Sequence, residues 1–342
     1  MARLRTAVIG LGRIGWQYHI PEIRRHPEQF ELCGVCDPLA ERRAEAKTTF
    51  GVDGYVDPES MFAAAKPDLV VVASPTAFHA EQTKAAFRHG IDVFCDKPVA
   101  VNAPEFEGMM DAMREHGRRF MVYQPHRVTA EMMGAREVLR RGVLGDIYMI
   151  KRACSAYVRR NDWQAFRKNG GGMLSNYGAH YVDQMLTLAG YSVRRTECRL
   201  RSIATLGDAD DVVKIVLETG SGVIVDIDIN MATALPVQEW MIFGTRGTAA
   251  FDRAASAWRV RYFEDGALPE KAAQDGLAAA DRQYCNETGI DWKEATLRLS
   301  EIPADDFYMH VHAYFADGKK PFVTVEETRE LMRTLDRCRE LA

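Results

Sequence analysis

Apolar and polar positions along the first third of the chain alternate between two periods. Thr6-Ala7-Val8-Ile9 is a short β-rich run, and a helix-like segment follows the glycines after it, to about Arg25. Leu32 to Cys36 predicts a second strand, closed by Asp37-Pro38, and Ala40 to Phe50 a helix. Asp68 to Ala73 is continuously apolar after its first residue, the pattern of a strand with both faces covered by helices. Ala80 to His89, ended by Gly90, predicts a helix, Ile91 to Cys95 a strand, Pro104 to His116 a helix and Phe120 to Tyr123 a last strand. Such β-α-β alternation predicts a doubly wound parallel sheet, an α/β fold of Rossmann type.

The pattern changes near residue 124. After a helix over Ala130 to Arg141 come strand-like runs at Ile147 to Ser155, Glu197 to Thr205, Val212 to Glu218, Gly222 to Ile229 and Gln238 to Phe243. Turn signals at Glu218 to Gly222 and Thr245-Arg246-Gly247 predict a mostly antiparallel open sheet, hence an α+β second domain. Residues 264–300 are polar and carry no assignable pattern; Asp305 to Phe315 and Val325 to Glu340 predict helices. The expected division is 1–123 for a dinucleotide and 124–342 for substrate and oligomerisation, with the helix 325–340 packing back on the first part. A length of 342 residues also suits two domains.

Composition narrows the function. Hydrophobic residues are 47% and charged residues 27%, values of a globular chain. The net charge of −4 leaves no basic excess for a phosphate backbone, which disfavours nucleic acid. No run approaches a membrane span, and the start lacks a signal-peptide pattern, so a cytoplasmic location is expected. Seven scattered cysteines suggest reduced thiols. Cys33 and Cys36 lie three apart in a strand and so on opposite faces, which argues for structural cysteines over a redox pair. His310 and His312 share no helix face, and no zinc spacing occurs, so no metal is expected.

Gly10-Leu11-Gly12-Arg13-Ile14-Gly15 follows a strand and opens a helix, the setting in which G-x-G-x-x-G binds a dinucleotide. The first glycine permits the turn, the second admits the pyrophosphate and the third packs helix on strand. Asp37, 22 residues beyond Gly15, is placed to accept from the adenine ribose hydroxyls and to repel a 2′-phosphate. NAD is therefore expected over NADP; Arg42 and Arg43 soften that preference if they are not simply a solvated helix face.

Three more motifs complete the pattern. Ser74-Pro75-Thr76-Ala77-Phe78-His79 follows one strand, Asp96-Lys97-Pro98 the next, and Gly170-Gly171-Gly172-Met173-Leu174-Ser175-Asn176-Tyr177-Gly178-Ala179-His180-Tyr181-Val182-Asp183 lies in the second half. With these the chain resembles, over essentially its whole length, the glucose–fructose oxidoreductase / inositol dehydrogenase / rhizopine catabolism (Gfo/Idh/MocA) family of NAD(P)-dependent oxidoreductases. The resemblance implies a cofactor site from Gly10, Gly12, Arg13, Ile14, Gly15, Asp37, Ser74, Pro75, His79, Asp96 and Lys97. It implies that Lys97 is the active-site lysine, in a motif where Asp96 replaces glutamate and where the bond to proline is often cis. It makes His180 the catalytic histidine and Asn176 the replacement for the family's aspartate.

The chemistry is consistent with this transfer. A histidine takes the hydroxyl proton as hydride leaves the same carbon, and a lysine stabilises the developing alkoxide. Asn176 and His180, four apart, share a helix face, where the carboxamide orients the ring without supplying charge. Arg127 either meets substrate or forms an ion pair, and Asp183 either bonds substrate hydroxyls or fixes local structure. Tyr157, Arg159 and Trp163 suit a polyhydroxylated substrate or an apolar cap over the site. The expected activity is NAD-dependent oxidation of a secondary alcohol on a sugar, inositol or sugar derivative. Two alternatives stay open: a dinucleotide- or sugar-sensing module without turnover, and an enzyme using bound NAD transiently for elimination or hydrolysis. A homodimer or homotetramer through the second sheet is expected from its uncovered face.

Overall fold

Six parallel strands make the first sheet of the computed structural model, which describes residues 3–270, 273 and 289–342. In chain order its elements are β1 (Leu4–Ile9), α1 (Ile20–Arg25), β2 (Phe30–Cys36), α2 (Ala40–Phe50), β3 (Gly54–Tyr55), α3 (Pro58–Ala65), β4 (Leu69–Val72), α4 (His79–Arg88), β5 (Asp92–Cys95), α5 (Ala103–Glu115) and β6 (Phe120–Val122). The strand order β3-β2-β1-β4-β5-β6 reverses direction between β1 and β4. A crevice forms at that switch point, at the carboxyl ends of the strands. All four β4 residues are buried, as their unbroken apolar run requires. Side chains close the first turns of two helices: Asp57 Oδ1 accepts from Ser60 N at 2.9 Å, and Asn102 Oδ1 from Glu105 N at 2.9 Å.

The rest of the chain adds α6 (Ala130–Arg140), β7 (Ile147–Ser155), α7 (Ala179–Ala189), β8 (Val193–Arg201), β9 (Val212–Thr219), β10 (Ile224–Asn230), β11 (Trp240–Gly244), β12 (Gly247–Asp252), β13 (Ala257–Tyr262), β14 (Lys293–Arg298), α8 (Phe307–Phe315) and α9 (Val325–Glu340). Its eight strands run in the order β14-β13-β12-β11-β7-β10-β9-β8, antiparallel except for the parallel pair β7 and β10. Alternate residues face the helices: Ile150, Val225, Ile227 and Ile242 are fully buried. The alternate positions carry charge instead, and Lys151 and Lys214 meet Asp226 at 3.4 and 2.5 Å.

Three departures from the sequence pattern have physical causes. β8 starts four residues earlier than expected, because Val-Arg-Arg-Thr-Glu-Cys-Arg-Leu-Arg is an edge strand with little apolar signal. The strands β12, β13 and β14 were not expected; β14 falls in the polar stretch 264–300, of which 271–272 and 274–288 lie outside the described residues. The short β3 and α3 between α2 and β4 were also passed over.

The last two helices connect the sheets. Tyr308 of α8 packs edge-on to Phe30 and Phe94 beneath the first sheet, and its hydroxyl meets His19 Nδ1 at 2.6 Å. On α9, Arg329 bonds Glu107 of α5 at 2.6 Å, while Glu330 accepts from Val193 N of β8 at 3.0 Å. A capping box between Thr324 and Glu327 starts α9.

Candidate active site

The glycine loop is set by what a Cβ would strike. At Gly10, with φ +96°, a Cβ would lie 2.7 Å from the backbone of Ala73 and Ser74; at Gly15 it would lie 1.9 Å from the Gly10 carbonyl oxygen. Both positions therefore require glycine. Gly12 differs, since nothing lies within 4 Å of its Cβ position. It opens on a cleft of about 330 Å³ whose walls include Arg13, Ile14, Ser74, Lys97 and Asn176. A bare backbone facing such a cleft is the cradle a pyrophosphate needs, so the residues fit a dinucleotide.

Asp37 sits at the end of β2, buried. Its Oδ2 accepts from Leu11 N at 2.9 Å and Arg42 Nη1 at 3.2 Å, and its Oδ1 from Leu39 N at 3.0 Å. A carboxylate offers about four acceptor positions, so roughly one is left for a ribose hydroxyl. Ser74 and Pro75 line the cleft, but the Ser74 hydroxyl is committed to Gln82 Oε1 at 2.6 Å. His79 does not face the cofactor cleft as the family resemblance implied. Its two ring nitrogens lie 2.9 Å from the Pro98 carbonyl and 2.8 Å from the Ser74 carbonyl, so it ties the two loops together from behind.

Lys97 follows β5, and its peptide bond to Pro98 is cis. Its Nζ donates to both the backbone oxygen and Oδ1 of Asn176, each at 3.2 Å. Burial lowers the lysine pKa; Asp96 opposes this, and Arg13 and Arg160 add to it. Burial pushes the carboxyl of Asp96 up to about 6 against the pull of Lys97, and its Oδ1 accepts from Lys97 N at 2.8 Å.

His180 is buried at the start of α7. Five π-helical residues, Leu174–Gly178, precede that helix, so Asn176 and His180 are not stacked on one α-helical face as the i, i+4 spacing implied. The Asn176 carboxamide oxygen is taken by Lys97, and His180 Nδ1 has no hydrogen-bond partner. What orients the ring is His126, stacked on it at 3.7 Å with 8° between planes. Burial, with Lys97 and then His126, holds the His180 pKa well below its ordinary value. Burial, with Lys97 and Arg152, lowers His126 to about 4. Both rings are thus neutral at pH 7.

The remaining expectations divide. Arg127 and Asp183 are both buried and satisfy each other: Nε to Oδ2 is 2.8 Å and Nη2 to Oδ1 is 2.7 Å. Their charges are thus an ion pair and not substrate contacts. Trp163 lines the same cleft as Gly12, joined by Gln164. Tyr157 is exposed and bridges to Ala232. Among the described residues, one cluster with metal-ligand spacing occurs, Glu22, His26 and Asp306, but Arg25 Nη2 lies 2.6 and 2.7 Å from its two carboxylates. Sequence reasoning missed His126 and Gln164; His126 follows the carboxyl end of β6, the same positional signal that marks Lys97 after β5.

Comparison with known proteins follows this geometry. The model of the oxidoreductase family with an NAD-binding Rossmann fold matches residues 4–124, and that of the GFO/IDH/MocA C-terminal domain matches 132–250. D-glucoside 3-dehydrogenase of Escherichia coli is 32% identical over 192 residues, 55% of this chain and 54% of its own length. Rhizopine catabolism protein MocA of Rhizobium meliloti is 28% identical over 190 residues, 56% and 58% of the two chains. The matches thus span little more than half of these relatives. An NAD-binding protein from Listeria innocua superposes with a TM-score of 0.83 at 25% identity, over 100% of this chain and 95% of that one. The WlbA dehydrogenase from Bordetella pertussis, solved with NADH and UDP-GlcNAcA, gives a TM-score of 0.78 at 22% identity, over 100% and 97%. The first sheet is an NAD-binding Rossmann domain, and the chain belongs to the Gfo/Idh/MocA oxidoreductase family.

Proposed function

We propose that the chain is an NAD-dependent dehydrogenase that oxidises a secondary alcohol on a sugar, inositol or sugar derivative. The observation that carries this reading is Lys97 bonded to Asn176 in the wall of the cleft that opens from Gly12, with the neutral, buried His180 near enough for the Lys97 charge to lower its pKa. The nicotinamide, when bound, supplies a hydride acceptor. His180, uncharged at pH 7, has a ring nitrogen free to take the hydroxyl proton. The Lys97 ammonium, held by Asn176, stabilises negative charge growing on the substrate oxygen. Its lowered pKa also lets it pass a proton onward more readily than an exposed lysine. Asp37 favours the ribose of NAD over the phosphorylated ribose of NADP.

The test is a sugar and polyol panel with NAD and NADP, followed at the NADH absorbance band. Lys97→Ala is expected to lose turnover and keep NADH binding; wild-type turnover in that variant would overturn the assignment. A specific observation keeps a sensing role as the second reading: among the described residues no carboxylate backs His180 Nδ1. NADH binding without turnover on any member of the panel would favour it. Product formed without net NADH would favour transient use of bound cofactor. We also infer a cytoplasmic homodimer or homotetramer assembled through the second sheet, which a monomeric mass in light scattering would refute.

A further inference from the structure

The run Gly170-Gly171-Gly172 leads into the helical segment that carries Asn176 and His180, and no step above uses it. Gly172 has φ +106°, and a Cβ there would lie 2.2 Å from Asp210 Oδ1. Backbone and space thus both demand glycine at this position. Asp210 comes from the loop between β8 and β9, and its carboxylate is buried against the glycine run.

Asp210 caps the start of the segment. Its Oδ2 accepts from Leu174 N at 2.7 Å, and its backbone oxygen accepts from Met173 N at 2.8 Å. Such N–H groups have no partner inside a helix, and a carboxylate there also meets the positive end of the helix dipole. Leu174 is the first residue of the π-helical turn, and Asn176 is the third. Asn176 N donates to the Gly172 carbonyl at 3.0 Å, and its carboxamide nitrogen lies 4.0 Å from Met173 Sδ. Asn176 therefore rests on two residues that Asp210 sets in place, Gly172 by contact and Met173 by a hydrogen bond.

Asp210 is itself firmly held. The next residue, Asp211, accepts from the backbone N–H groups of Ile203, Ala204 and Thr205 at 2.8, 2.6 and 2.6 Å. Asp211 N donates to the Arg201 carbonyl at 2.9 Å, and its own carbonyl accepts from Met231 N at 2.9 Å. Burial raises the Asp210 carboxyl pKa, and the bond from Leu174 N, its own N–H, Arg167 and Arg339 work against that rise.

We propose that Asp210 is a positioning residue for Lys97: it fixes the π-helical turn that delivers the two Asn176 oxygens to the lysine ammonium. The proposal rests on the dehydrogenase reading only in taking Lys97 as the active-site lysine. Its consequence is measurable at Lys97. The two 3.2 Å bonds from Nζ to Asn176 favour the charged lysine. Asp96 favours it too, Arg13 and Arg160 oppose it, and the neutral rings of His126 and His180 stand close by. Releasing the turn removes the Asn176 bonds alone, so Lys97 is expected to lose its proton at lower pH.

The test titrates Lys97 in the full chain by trace acetylation with acetic anhydride from about pH 7 to 11, read by mass spectrometry of its peptide. Asn176→Ala is expected to lower the Lys97 midpoint by about one pH unit, the worth of a charged hydrogen bond. Asp210→Ala is expected to lower it by a similar amount, and to add nothing in the Asn176→Ala background. Asp210→Asn drops the charge but keeps an acceptor for Leu174 N, and is expected to stay near the parent. If Asp210→Ala does not fold, Asp210→Glu, which keeps the charge and moves the oxygens, is read in its place with the same expected drop. An unchanged midpoint in Asp210→Ala, or in Asn176→Ala, would overturn the proposal. So would a drop that adds to that of Asn176→Ala, or an equal drop in Asp210→Asn, since both mark a through-space effect of the lost charge. A Tm loss in Asp210→Ala with the Lys97 midpoint in place reduces Asp210 to a helix cap. The labelling does not depend on turnover: the expected pattern in a chain that oxidises no sugar keeps this proposal and removes the dehydrogenase reading, and turnover with a midpoint indifferent to Asp210 does the reverse.

Discussion

Replacing Asp183 by Asn separates the two roles the sequence left open for it. Asp183 lies one turn after His180 on α7 and joins Arg127, in the turn after β6, through two bonds of 2.7 and 2.8 Å. Arg127 also reaches Glu327 on α9 at 3.0 Å, so the pair links three elements around the site. Side-chain exposures of 2% and 1% put both charges out of water. Burial works against the guanidinium charge, and Asp183, ahead of Tyr191 and Glu327, more than offsets it, so the net pKa direction is up. Removing one partner of such a pair costs about 3–5 kcal/mol, because the other charge stays buried and unpaired. Glu327 remains at 3.0 Å, so the lower end is expected. With an unfolding entropy near 2.1 cal/mol/K per residue, a chain of this length loses roughly 4 °C in Tm for 3 kcal/mol. Differential scanning calorimetry with and without NADH checks this. The double variant Arg127→Met, Asp183→Leu removes both charges and is expected to recover most of the loss. A Tm change below about 1 °C in Asp183→Asn, joined to a raised KM on the active substrate, would refute the structural role and restore the substrate contact.

Other outcomes follow from the same geometry. Gly12→Ala meets open space, so its Tm is expected within about 1 °C of the parent while NADH affinity falls at least about tenfold; Gly15→Ala, driven into the Gly10 carbonyl, is expected to lose fold stability first. Equal effects on both properties in both variants would count against the assigned roles. Asp37→Ser is expected to weaken NAD and improve NADP, since it removes the carboxylate and releases Arg42; fluorescence titration of the two reduced cofactors reads this, and an unchanged ratio would be evidence against Asp37 as the selector. Stability is expected to fall as pH drops from about 6.5 toward 4. His19, lowered to about 3 by burial, and His126, lowered to about 4, stay neutral in the fold but take protons once unfolded, which removes on the order of 3 kcal/mol each by the acid limit. Asp96, raised to about 6, and Asp210, raised by burial, oppose them by favouring the fold at acid pH, but His79 and His180, also lowered by burial, add to the histidine side. A Tm that rises over that window would contradict the balance.

How much of this the sequence carried depends on the range of each signal. The positions of the glycine loop, Asp37 and Lys97 were legible because each follows a strand that ends in three buried residues without charge. The helices over Ala40–Phe50 and Val325–Glu340 were bounded to the residue. β8 slipped because an edge strand rich in arginine shows little alternation. His79 was misread for a different reason: its partners, the Ser74 and Pro98 carbonyls, come from two loops, and sequence shows neither. The same limit hid His126, whose role exists only because α7 brings His180 onto its ring face.

The departure at Asn176 changes meaning once the contacts are seen. From spacing alone it looked like a weakened partner for the histidine, a carboxylate lost from an acid–base pair. The π-helical turn instead delivers its carboxamide to Lys97 Nζ. An aspartate there would sit 3.2 Å from the ammonium and raise its pKa, working against the lowering that burial and Arg13 produce. Asparagine keeps the hydrogen bond and withholds the charge, so Lys97 holds its proton less tightly. The substitution therefore acts on the lysine more than on the histidine. Asn176→Asp is expected to move the alkaline limb of the kcat profile upward, a shift that loss of His180 orientation would not produce. An alkaline limb left in place, with the acid limb moved instead, would return Asn176 to the histidine.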